Sequence, residues 1–203
     1  MSGNTPTKRA WQRMLSGRRL DLLEPSPLDV EIEDIAHGLA RVARWNGQTT
    51  GEHAFSVAQH SVLVWKIFCH QNKTYSFDDE LTALLHDAPE YVIGDMISPF
   101  KSVLGNEYKS VEARLESAIH TRYGLKAITP SKLKNAIKKA DAVSAYYEAV
   151  LLAGFDKVEA QKLFGVPRNI LQNQYDFTPL PAEQAQNLFL DAFNHIESNR
   201  NLV

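Results

Sequence analysis

Apolar positions recur along this chain at the three- and four-residue intervals of helices, and the expected elements follow from where that pattern starts and stops. Ile32, Ile35, Ala36, Leu39 and Val42 predict a helix over 31–43. Val57, His60, Ser61, Val64 and Phe68 mark one face of a second, over about 52–70. A third, capped by Asp78 or Asp79, runs to near Pro89. Val111, Leu115, Ala118, Ile119 and Tyr123 define a fourth over about 107–123, with Gly124 as its C′ residue. Thr129-Pro130 is a start signal, Thr as N-cap and Pro at the first helical position, for a helix reaching about 152. Positions 165–181 read as a connector, and Leu188, Ala192, Phe193 and Ile196 predict a last helix over about 182–197. The first thirty residues read as irregular with short helices; residues before proline are pushed out of the α region, so 20–27 is extended or turning. No run alternates as a strand does. The expected fold is an all-α helical bundle in a single domain: an irregular segment 1–30, a core 31–155, and a connector and helix over 156–203 packed on that core.

Bulk composition narrows the class without naming a chemistry. A chain of 203 residues, 44% hydrophobic and 23% charged, is long enough to bury a sizeable core. Its net charge of −2 argues against broad nucleic-acid or membrane association. The densest basic cluster, Lys132, Lys134, Lys138 and Lys139, fits a solvated helix face turned away from the apolar neighbours of Asp141. No apolar stretch approaches the roughly 18 residues of a membrane span. The N-terminus has no apolar signal region, and the single Cys69 excludes an intrachain disulfide; the expected location is cytoplasmic.

The chemistry sits where polar residues interrupt apolar helices. His60 lies within Val57-Ala-Gln-His-Ser-Val-Leu-Val64, His86-Asp87 ends Leu81-Thr-Ala-Leu-Leu-His-Asp87, and Asp141 lies within Ala136-Ile-Lys-Lys-Ala-Asp-Ala-Val-Ser-Ala145. An unpaired polar group in such a setting is costly, and one shared divalent cation would satisfy all of them. Helix bundles build metal sites from facing side chains. Taken singly, each residue reads as well as a hydrogen-bonded core histidine or a capping aspartate. On the residues alone, both readings stay open.

The ordered set His60, His86-Asp87, Asp141 resembles the H…HD…D signature of the HD-domain phosphohydrolase superfamily. The surrounding motifs resemble its bacterial 5′-deoxynucleotidase, YfbR-like branch: Arg44-Trp45, then Ser56-Val-Ala-Gln-His-Ser61, then Glu90, Gly94-Asp95, Pro99 and Lys101, and finally Ala140-Asp141-Ala142. The resemblance covers roughly 31–150. The stretch Ile32-Glu-Asp-Ile-Ala-His37 with Arg44-Trp-Asn-Gly47 also resembles uncharacterised bacterial and phage HD hydrolases, which need not share that substrate.

The resemblance implies an HD-type catalytic core with one divalent metal ion (Mn, Co, Fe, Ni, Zn or Mg) held by His60, His86, Asp87 and Asp141. Such an ion acts as a Lewis acid and activates water for attack on phosphorus. Glu90 and Asp95 become the catalytic candidates. Glu90 falls on about the same helical face as the ligands if the helix continues past Pro89, and could orient the water or take its proton; Asp95 could bind a sugar hydroxyl or join the proton network. Arg44, Trp45 and Lys101 become substrate-binding candidates: a guanidinium fork for phosphate, an aromatic wall and a further positive charge. Each has a plain structural alternative in a salt bridge, core packing or a solvated loop. His53 lies outside the matched motifs and reads as a partly exposed histidine at a helix start; His37 reads as core packing, and His70, His120 and His195 as surface residues.

The expected function is removal of phosphate from a nucleotide, foremost a 5′-(deoxy)nucleoside monophosphate. The alternatives are hydrolysis of a nucleoside triphosphate, an alarmone or a cyclic nucleotide, and metal-dependent nucleotide binding without turnover. An all-α nucleic-acid-binding module fits the balanced charge poorly. The expected partners are a nucleotide substrate and a second copy of the chain, the latter suggested by the resemblance and the apolar C-terminal helix.

Overall fold

A computed structural model describes residues 10–97, 100, 106–168, 170 and 172–202. Helix α2 (Val57–Gln71) is the element around which the others gather, because Val57 to Val64 are buried on every side. A helical stretch buried on every face must have neighbours all round. On one flank Phe55, Val64, Ile67 and Phe68 pack against Leu133, Ile137 and Ala140 of α6 (Ser131–Leu151). On the other, Val57, Ala58 and Val62 join Ile35 and Leu39 of α1 (Ile32–Leu39), Leu81 and Leu84 of α3 (Phe77–Leu84), and Phe189 and Ile196 of α8 (Ala182–Arg200). The architecture is the expected all-α bundle. Among the described residues, no helix is long and apolar enough to cross a membrane.

Helix ends follow local capping chemistry, which shifts several expected boundaries. Helix α2 starts at Val57 because the Ser56 hydroxyl accepts the Gln59 N–H at 3.2 Å; 52–55 is loop. The cap of α3 is Ser76, in a capping box with Asp79 as its reciprocal partner. Helix α3 stops at Leu84, and 85–89 turn into the short helix α4 (Glu90–Ile93), ended by Gly94 at φ 77°. Helix α5 (Asn106–Arg122) precedes Gly124, whose φ of 68° suits the expected C′ role. Pro130 itself stands at the N-cap of α6.

Two elements depart from expectation. A two-stranded antiparallel hairpin, β1 (Trp11–Arg13) with β2 (Arg19–Asp21), stands where 10–30 reads as irregular. Each strand is three residues, too short for alternation to register, and Arg19 stacking on Trp11 at 4.3 Å holds the pair. The hairpin is tied to α1 by Ser16, whose N–H and hydroxyl both bind the Asp34 carboxylate, at 3.0 and 2.5 Å. A short helix, α7 (Lys157–Phe164), forms where no element is expected, capped by Asp156 accepting the Glu159 N–H at 2.8 Å. It buries only Ala160 among its eight residues, so its apolar signal is thin.

Two close contacts brace the central helices. A Cβ built on Gly38 of α1 would lie 2.7 Å from the Tyr91 carbonyl oxygen, so only glycine lets α1 and α4 approach this closely. Buried Gln59 clamps the connector before α8: its amide N–H donates to the Thr178 carbonyl at 2.9 Å, and its carbonyl accepts the Leu180 N–H at 3.1 Å.

Candidate metal centre

His60 stands where α2, α6 and the turn after α3 meet, with no exposed side-chain surface. Its Nδ1 lies 2.6 Å from Glu148 Oε1. Glu148 is also fully buried. Burial alone would raise its carboxyl, but Arg44 and His60 outweigh this and hold it far below the ordinary carboxylate range. An ionised carboxylate can only accept, so His60 Nδ1 carries the hydrogen. His86, in the turn after α3, places Nδ1 2.9 Å from the Ala83 carbonyl, which likewise can only accept.

Both imidazoles therefore direct Nε2 at the remaining space, and both of these buried atoms lack a hydrogen-bond partner. His60 Nε2 faces Asp141 Oδ1 at 3.3 Å and Asp87 Oδ2 at 3.5 Å; His86 Nε2 faces Asp87 Oδ2 at 3.2 Å. The two rings are 5.3 Å apart. Lone pairs pointed at carboxylates repel, so a positive charge must stand between them. A proton on His60 is one solution. Burial and Arg44 oppose it, but Glu148, Asp141 and Asp87 prevail and lift the imidazole well above its ordinary pKa. Asp87 moves the other way: His86 and His60 overcome burial and keep it ionised well below its usual range.

A divalent cation is the other solution, and the residues fit it. Ligand atoms about 2.0–2.2 Å from one ion lie about 3–3.5 Å from their neighbours, the spacing of the pairs above. Donor atoms of His60, His86 and Asp141 all fall within 4.8 Å of one another, and Asp87 borders both imidazoles. Side-chain exposure rises across the group, from 0% at His60 through 11% at His86 and 24% at Asp87 to 39% at Asp141.

Among the described residues, the other expected site residues stand in different states. Arg44 donates from Nε to Glu148 Oε2 and from Nη1 to Asp95 Oδ2, both at 3.2 Å; Nη2 is in neither bond. Burial works against its charge, but Glu148, Asp95, Asp87 and Asp141 hold the guanidinium protonated. Trp45 donates from Nε1 to Glu148 Oε2 at 3.0 Å, and its ring packs on Phe155 and Phe164. Trp45 and Asn46 both take left-handed backbone, φ 57° and 51°, a strained choice for a tryptophan. Glu90 is buried at the first position of α4, its N–H bonded to the Asp87 carbonyl at 3.0 Å. Lys101 and Pro99 lie outside the described residues.

The histidines outside the cluster divide. His53 sits half-buried in the loop before α2, so it does not share a helix with His60. His70 and His195 are exposed and His37 is half-buried. His120 corrects an expectation: it is buried, with Nδ1 3.0 Å from the Lys126 carbonyl. Sequence reasoning also missed Glu148 and Ser144, whose hydroxyl donates to Glu148 Oε1 at 2.7 Å. A signal was present: Asp141, Ser144 and Glu148 are spaced three and four apart on one face of an otherwise apolar run.

Comparison with known proteins places this geometry in context. Residues 35–156 match the family model described as 5′-deoxynucleotidase YfbR-like. An uncharacterized protein of Rhodobacter capsulatus is 59% identical over 164 residues, covering 81% of this chain and 84% of the relative. The uncharacterized protein YfdR of Escherichia coli is 31% identical over 172 residues, covering 85% and 87%.

Proposed function

This chain belongs to the YfbR-like 5′-deoxynucleotidase family, and we propose that it is a metal-dependent phosphohydrolase acting on a 5′-(deoxy)nucleoside monophosphate. The observation that carries the metal requirement is the pair of buried Nε2 atoms, on His60 and His86, aimed at the Asp87 and Asp141 carboxylates at 3.2, 3.3 and 3.5 Å, the spacing of ligands that share one ion. His60, His86, Asp87 and Asp141 would hold the cation, and their mixed imidazole and carboxylate donors suit Mn, Co, Fe, Ni, Zn or Mg. When bound, such an ion supplies a Lewis acid for a phosphoryl oxygen and eases deprotonation of water near neutral pH.

The chain's own residues would do the rest. Arg44, fixed by Glu148 and Asp95, offers a permanently charged fork beside the cluster for phosphate oxygens. Trp45, held by its bond to Glu148 and by Phe155 and Phe164, is the aromatic residue assigned to wall the substrate. In the reaction, a water oxygen bonds to phosphorus as the bond from phosphorus to the nucleoside 5′ oxygen breaks. One proton leaves the water and one reaches the departing oxygen; Glu90 and Asp95 are the residues assigned to carry them. Lys101 is the further cation assigned to the phosphate.

The test is a panel of nucleoside mono- and triphosphates, cyclic nucleotides and an alarmone, each with the six metals, with Asp87→Ala run alongside. The expected result is inorganic phosphate from a nucleoside monophosphate, abolished by chelation and by Asp87→Ala. Absence of any phosphorus-containing product across the panel would overturn the proposal.

A further inference from the structure

We propose that Glu148 is the positioning residue of this centre: it fixes the tautomer and orientation of His60 without touching ion or substrate. This rests on the metal reading above. Among the described residues, the Glu148 carboxylate accepts from four donors. Oε1 takes His60 Nδ1 at 2.6 Å and the Ser144 hydroxyl at 2.7 Å; Oε2 takes Trp45 Nε1 at 3.0 Å and Arg44 Nε at 3.2 Å. Arg44 keeps the carboxylate ionised, and Ser144 and Trp45 pin its two oxygens. A carboxylate so held can bind His60 in only one way, with hydrogen on Nδ1 and the Nε2 lone pair turned toward Asp87 and Asp141. Ser144 also lies 3.4 Å from His60 Nδ1, the nitrogen that does not face Asp87 and Asp141, so Ser144 and the strained turn at Trp45 reach the ion only through Glu148 and His60.

A histidine ligand oriented by a buried carboxylate is a stronger and better-aimed donor, and removing such a partner weakens metal binding about 10- to 100-fold. Glutamine in place of Glu148 keeps the shape, but its NH2 group either faces the obligate donors Trp45 Nε1 and Arg44 Nε and loses both bonds, or faces His60 Nδ1 and favours hydrogen on Nε2, the wrong tautomer for a ligand.

The experiment measures Zn2+ affinity by chelator competition, without nucleotide, on the wild type, Glu148→Gln and Glu148→Asp, with circular dichroism reporting the fold. Expected are one Zn2+ per wild-type chain and binding about 10- to 100-fold weaker in a folded Glu148→Gln. Glu148→Asp, which keeps the charge but withdraws the carboxylate by one methylene, changes in the same direction. A residue that only packed the core would lower the melting temperature and leave affinity intact. Wild-type protein that binds no Zn2+ overturns the metal reading itself. Wild-type binding with unchanged affinity in a folded variant overturns only the role of Glu148. If both variants fail to fold, the 15N histidine spectrum of Zn2+-loaded wild type decides: hydrogen on His60 Nδ1 supports the proposal, and hydrogen on Nε2 overturns it.

Discussion

Replacing Gly38 by alanine is expected to destabilise this protein even though it improves the local helix. Alanine in a helix interior is favoured over glycine by about 1 kcal/mol. Against that gain, the new methyl would lie 2.7 Å from the Tyr91 carbonyl oxygen, 2.8 Å from its Cβ and 3.1 Å from its Cα. Two of these atoms are backbone and none is the tip of a side chain that could swing aside, so α1 and α4 must separate. Overpacking of this kind costs about 1–3 kcal/mol, and a clash against backbone belongs at the upper end. The net expectation is a loss of about 2 kcal/mol, a melting temperature lower by about 4–8 °C for a chain of this size. Thermal melting and urea titration of both proteins would read it. Because α4 opens with Glu90, phosphate release from the best nucleotide should fall as well. A Gly38→Ala protein that melts at or above the wild-type temperature would refute the reasoning, since propensity would then have outweighed the clash.

Three further outcomes are expected. Metal binding should strengthen with rising pH: without an ion, His60 holds a proton to well above its ordinary pKa, and that proton must leave before Nε2 can serve as a ligand. By the same linkage, the stability His60 lends the metal-free protein is full below the ordinary imidazole pKa and lost as pH rises through the raised folded value. The rise in melting temperature on adding Zn2+ should therefore grow between acidic and alkaline buffers; a shift independent of pH would exclude this. Glu148 works in the opposite sense: its contribution is full above the ordinary carboxylate range and lost only as pH falls through its depressed value. Gln59→Ala should cost about 2 kcal/mol, roughly 1 for each hydrogen bond to the connector, and limited proteolysis should cut near Thr178 sooner than in wild type. Phe189→Ala should cost about 3–5 kcal/mol in urea titration, because Phe189 is fully buried where α8 meets the core.

The bundle was legible because most helices bury one stripe, and stripes of that period show in the residue order. Asp141 and His60 stood out for the opposite reason, as polar breaks in apolar runs. Boundaries were less legible: the start of α2 depends on the Ser56 hydroxyl, which no periodicity records. The hairpin and α7 escaped because three residues of strand, or eight of helix burying one alanine, carry too little pattern. Glu148 escaped for a further reason. Its partners, His60 and Arg44, are distant in the chain, and only their convergence shows that a buried acid is needed there.

The side chains of the cluster of His60, His86, Asp87 and Asp141 grade from sealed at His60 to well exposed at Asp141. Anything arriving from solvent meets Asp141 first and His60 last, and departure reverses that order. In the proposed reading, changes to the outermost acid alter how quickly an ion is exchanged, whereas changes to the innermost ring alter whether one is retained at all.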